Sequence, residues 1–114
     1  MRKTENKLYL EEIVEFCRHI EEYLTNVEMP DFLNNRMLQD ALVRKIEIIG
    51  EAAKSLTKEF CEQNPQIPWR EITRMRDKVI HHYFRVDLET VWKTAKIDIP
   101  VLKSEISKIL KSLS

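Results

Sequence analysis

Apolar residues return at three- and four-residue steps along most of the chain, and no segment sustains a period of two. That pattern predicts helices and no sheet. Leu10, Ile13, Val14, Cys17, Ile20 and Leu24 mark a first amphipathic helix over residues 6–26, with Glu11, Glu12, Glu15, Arg18, Glu21 and Glu22 on its other side. His19 lies among these charges and is expected to be solvated. The pattern breaks at Glu28-Met29-Pro30-Asp31, where the proline cannot continue a helix. A second, longer helix is expected over residues 31–56, striped by Leu38, Leu42, Ile46, Ile49, Ala53 and Leu56. Ile48 and Ala52 widen the stripe, so this helix should bury two sides.

Gly50, the only glycine in the protein, falls inside that helix. Glycine there costs about 1 kcal/mol against alanine, so its position calls for a reason. Close approach of another helix is the expected reason; backbone approach by a ligand is the functional alternative. Residues 57–63 read as a short helical turn, and Asn64-Pro65-Gln66-Ile67-Pro68 as the main loop. Trp69 opens a helix that reaches His81 or His82, with Ile72, Met75 and Val79 as its apolar positions. Asp87 is an expected N-cap for a helix over 88–97, which turns Val91, Trp92 and Ala95 inward. Asp98 is expected to cap a last helix with Pro100 in its first turn, burying Leu102, Ile106, Ile109, Leu110 and Leu113. The connections are short, so the fold class is all-α: an antiparallel bundle of about five helices in a single domain over residues 1–114.

Composition narrows the function classes. Lysine and arginine number 19, aspartate and glutamate 19, so the formal net charge is zero. Global attraction to nucleic acid is therefore absent, and RNA binding needs a local patch. Cys17 and Cys61 lack metal-ligand spacing and read as reduced thiols of a cytosolic protein. The first residues lead into no long apolar run, so no signal peptide is expected. No apolar stretch approaches the roughly 18 residues of a membrane span.

The local patch is Arg76-Asp77-Lys78-Val79-Ile80-His81-His82-Tyr83. Between positions 70 and 85, Arg70, Arg74, Arg76, Lys78 and Arg85 face only Glu71 and Asp77, five bases against two acids, a local charge of +3. Phosphate chemistry on RNA uses such groups: a permanent cation for the phosphorus centre and an imidazole that moves a proton near pH 7. A solvated charged helix would show the same charges. Helical geometry puts Arg76 and Tyr83 on nearly one line, but separates Arg76 and His81 by roughly 140°. Either the helix ends near His81, or two copies face each other across a twofold axis and bring in each group twice. His82 reads as a packing or surface residue. Two histidines and one aspartate make a poor metal set, so neither metal nor cofactor is expected.

These residues carry a resemblance. Ile48-Ile49-Gly50-Glu51-Ala52-Ala53, Pro65 to Ile72, Met75-Arg76-Asp77 through His81-His82-Tyr83-Phe84, Val86-Asp87 and Val91-Trp92 resemble the HepT-like family (DUF86) of the HEPN helical domains. The resemblance implies an all-helical, cytoplasmic homodimer. It implies a ribonuclease toxin paired with a small MNT-type nucleotidyltransferase antitoxin. The family motif Arg-x4-His-x-Tyr falls on Arg76, His81 and Tyr83. It implies Arg76 and His81 as the ribonuclease residues and Tyr83 as the site at which the partner adds AMP. Asp77 stands where the wider group often has asparagine; it can orient His81 or raise its pKa, or compete for Arg76. Arg74, Lys78 and Arg85 are the expected RNA-contacting cations. Two alternatives use the same stretch: a non-catalytic substrate- or nucleotide-binding subunit of a two-component nucleotidyltransferase, and a structural dimer whose charged helix fixes the interface.

Overall fold

Helix α1, Arg2–Tyr23, lays Leu10, Ile13, Cys17 and Ile20 against α3, Arg36–Lys54, and α7, Ile99–Leu113. The computed structural model describes residues 2–81 and 87–113, and for residues 2–4, 75 and 78–81 it describes the backbone alone. Every regular element among the described residues is helical, as the three- and four-residue spacing requires. The remaining segments are α2 (Met29–Leu33), α4 (Lys58–Gln63), α5 (Trp69–His81), α6 (Leu88–Lys93) and a π-helical turn, Thr94–Asp98. None of these helices is long and apolar enough to cross a membrane.

Two boundaries differ from the sequence reading. The helix expected over 31–56 is two helices. Pro30 does not merely break the chain: it occupies the first turn of α2, where the lost N–H costs nothing. The backbone reversal before it uses Asn26, which takes φ 60°, a region asparagine tolerates. Then α2 stops at Asn34, and the Asn35 side chain accepts a 3.0 Å hydrogen bond from the Leu38 N–H to start α3. The adjacent asparagines favour a stop and a cap over a continuous helix. Short as α2 is, it seats Phe32, fully buried, against Trp92 with ring centroids 5.3 Å apart.

The second difference is at Asp98, which caps nothing. Helix α6 starts at Asp87, whose carboxylate accepts from the Thr90 N–H at 3.2 Å as expected, and then runs without a break through the π turn into α7. Pro100 explains the wide turn. Within a continuous α-helix it would leave the carbonyl of Lys96 without a donor and push its ring against it. Widening the turn, with the Ile99 N–H reaching back to the Thr94 carbonyl, accommodates the ring while the rod continues. The seven α segments thus form six rods, two of them short, where about five helices were expected.

Helix α3 does bury two sides. It packs between α1 and α5, with Leu42, Ile46, Ile49, Ala52 and Ala53 in the core. Its far end is tied down by a buried polar clasp. Asn6 of α1 donates to Thr57 Oγ1 and accepts from the Thr57 N–H, both at 3.1 Å, while Thr57 Oγ1 caps α4 through the Phe60 N–H. Asn6 is 6% exposed, and the two bonds satisfy its amide. The thiol of Cys17, buried against this core, is pushed up to about 12, first by burial and then by Glu21. Cys17 and Cys61 are both free, in keeping with reduced thiols. His19 is less solvated than expected. It is 30% exposed, with Nε2 3.1 Å from Glu15 and its ring edge against Phe16.

Candidate active site on helix α5

Helix α5 begins where the proline loop is pinned. The Trp69 N–H donates to the Ile67 carbonyl at 2.8 Å, and the Trp69 indole donates to the Asn64 carbonyl at 2.9 Å. The indole also packs edge-on against Phe60, and Ile67 is plugged into the core at 2% exposure. A rigid start fixes the rotation of the helix that follows, and so which residue of α5 meets α3.

That residue is Arg76, and it meets Gly50. A Cβ placed on Gly50 would collide with Arg76 Cβ and lie 2.7 Å from Arg76 Cγ and 3.2 Å from Cδ. The glycine is therefore the floor on which the arginine stem lies. Close helix approach was the expected reason for Gly50, and this is it, with the partner being the candidate catalytic cation itself. The stem is covered by α3 while the guanidinium reaches toward water, leaving the side chain 21% exposed.

Two carboxylates hold the guanidinium. Nη1 donates to Asp77 Oδ1 at 3.0 Å and Nη2 to Glu51 Oε1 at 3.4 Å. The Nε–H is buried and has no partner among the described residues. Lys54, one turn beyond Glu51 on α3, brings its Nζ to 4.0 Å from the same Asp77 oxygen. The described site is a four-charge set: Arg76 and Asp77 from α5, Glu51 and Lys54 from α3. Asp77 does compete for Arg76. Sequence reasoning missed Glu51 and Lys54, because they lie more than twenty positions away along the chain. The available signal was a helix-interior glycine followed by a charged residue at the next position and another one turn on.

Not every expected residue joins this set. Arg74, two positions before Arg76, lies about 160° away around the helix. It is exposed and lines a groove of about 700 Å³ between α5 and the α6–α7 rod, together with Glu71, Ile72, Lys93, Asp98 and Glu105. The groove and the Arg76 charge set are thus on different sides of α5. Lys78 and His81 are on α5, His81 as its last residue, so positions 76 and 81 share one helix and keep their angular separation. Tyr83 and Arg85 lie outside the described residues. Among the described residues, no group of three or more His, Cys, Asp or Glu side chains could hold a metal ion.

A family model described as ribonuclease HepT-like matches residues 13–109. A Thermococcus cleftensis protein named "Probable ribonuclease HepT" is 48% identical over 109 residues, covering 96% of this chain and 99% of that protein. A Methanocaldococcus jannaschii protein provisionally named an RNase is 44% identical over 113 residues, covering 99% of this chain and 93% of its own. A second protein of that organism, whose name joins a gamma-glutamylcyclotransferase to a provisional RNase, is 50% identical over 99% of this chain and 50% of its own length. No solved structure matches the chain significantly. With a family match running from α1 into α7 and relatives alike over nearly their full lengths, the chain belongs to the ribonuclease HepT-like family.

Proposed function

We propose that the chain is the ribonuclease toxin of a two-component toxin–antitoxin pair and works in the cytoplasm. The ribose 2′-OH attacks the adjacent phosphorus and the 5′-oxygen leaves, giving a 2′,3′-cyclic phosphate. Arg76 stabilises charge on the phosphorane, and His81 moves the proton as general base or acid. The observation that supports this best is the seat of Arg76. A glycine floor and two carboxylates hold its guanidinium in one place, and its buried Nε–H has no partner among the described residues. A fixed cation costs no reorganisation as charge develops on phosphorus. The carboxylates also support the second reading, a non-catalytic binding subunit, because they offset the cation that the chemistry needs.

The active unit is a homodimer with the α5 helices near the twofold axis. Support comes from the roughly 140° between positions 76 and 81, since one helix cannot aim both at one phosphate. Light scattering at micromolar concentration should read twice the 13.7 kDa chain mass, and a monomer would contradict it.

The partner is an MNT-type nucleotidyltransferase that moves AMP from ATP to the Tyr83 hydroxyl and releases pyrophosphate. One added anion lowers the local +3, and the nucleotide fills the RNA cleft. Incubation with the partner, ATP and Mg²⁺ should add mass in multiples of one AMP and lower cutting. Tyr83→Phe should show no added mass and stay active beside the partner. An adduct that survives in Tyr83→Phe would move control to another residue.

A further inference from the structure

The four-charge set around Arg76 contains an anionic oxygen already in place. Asp77 Oδ1 accepts from Arg76 Nη1 at 3.0 Å and lies 4.0 Å from Lys54 Nζ. Two cations from two helices therefore converge on one oxygen. A carboxylate oxygen and a phosphate oxygen carry similar charge and accept the same donors. Asp77 is 41% exposed and Lys54 51% exposed at the side chain, so both can turn without disturbing the core. Arg76 cannot turn, because its stem lies on Gly50.

We propose that Lys54 is a second phosphate-binding residue of the site, and that Asp77 occupies the phosphate's place in the ligand-free chain. A backbone phosphate of RNA takes the oxygen position between Arg76 and Lys54, and the Asp77 carboxylate swings into water. One anion replaces another between the two cations. Glu51 stays on Nη2 and keeps the guanidinium in plane while its other edge changes partner. Lys54 stands at the end of α3, four positions beyond Gly50 and thus on the same face. The helix that carries the arginine's floor also carries the second cation. The ligand class, an RNA phosphate, rests on the ribonuclease reading.

The test is a binding titration that does not depend on cutting. Full-length His81→Ala protein, used to suppress cleavage, is titrated against a labelled single-stranded RNA oligonucleotide across a range of salt concentrations. Lys54→Gln should weaken binding and reduce the slope of log affinity against log salt by about 0.7, the value of one lost phosphate contact on a single strand. Lys54→Arg should restore both. Asp77→Asn should tighten binding severalfold, and Lys54→Gln should cost more in that background. Lys108→Gln, on α7, should change neither quantity. An unchanged slope in Lys54→Gln, weaker binding in Asp77→Asn, or no RNA binding by folded His81→Ala protein would each overturn the proposal. Wild-type protein that binds RNA with these shifts but never cuts it would sink the nuclease reading and leave Lys54 in place. Wild-type protein that cuts RNA while Lys54→Gln binds normally would sink Lys54 alone.

Discussion

His81→Ala is expected to lower RNA cleavage by about 10²–10⁴-fold, the usual cost of removing a general acid or base. Arg76→Ala should lose comparably, because the guanidinium is the cation that Gly50 and two carboxylates hold in place. Arg76→Lys should not rescue. The arginine presents separate nitrogens to Asp77 and Glu51 in a fixed planar fork, which a single ammonium does not reproduce. His82→Ala should cut within a few-fold of the wild type, since His82 reads as a packing or surface residue. Single-turnover cleavage with saturating protein separates these losses from weaker binding. An equal loss in His82→Ala would overturn the assignment of the proton-transfer role to His81.

Gly50→Ala is expected to destabilise the fold and to cost activity far from any reacting atom. The two effects on stability oppose each other. Alanine gains about 1 kcal/mol of helix propensity over glycine. Against that, its Cβ collides with Arg76 Cβ and Cγ. Cβ is fixed to the α5 backbone, so no rotamer change relieves the contact and the two helices must move apart. Overpacking of this kind costs about 1–3 kcal/mol. With Cβ in collision with Cβ the steric cost falls in the upper part of that range, and the net loss should be up to about 2 kcal/mol by urea unfolding. Arg76 moves with α5, and misplacing a catalytic group by about 1 Å can cost on the order of 10²-fold in rate. Because Arg76→Ala removes Cγ and Cδ but keeps Cβ, it should relieve only part of the clash. The double variant should therefore lose less stability than the sum of the singles. A Gly50→Ala protein as stable as the wild type would contradict the floor role.

The long helices were legible because burial writes its period into the chain. Leu10, Ile13, Cys17 and Ile20 were placed in the core by spacing, and all are buried. The Asp87 cap was legible for the same local reason: its partner is three residues away. Boundaries governed by competing local preferences were harder. Asn34 and Asn35 each favour a helix end, and an apolar stripe that continues past them hides the break. At Pro100 the proline was read as a start signal, whereas the chain keeps its rod by widening one turn. The charge set around Arg76 was half legible. Arg76 and Asp77 are neighbours in sequence, and Gly50 announced a close approach without saying of what. Glu51 and Lys54 became site residues only when α3 and α5 were laid side by side.

Arg76, seated on Gly50, and His81 are expected to cleave RNA without a metal ion. The most direct measurement uses purified protein, confirmed unmodified by intact mass, incubated with single-stranded RNA in EDTA. The products should end in a 2′,3′-cyclic phosphate, identified by mass, and should be absent with His81→Ala. Intact RNA after prolonged incubation with folded, unmodified protein, or cleavage that persists undiminished in His81→Ala, would contradict that expectation.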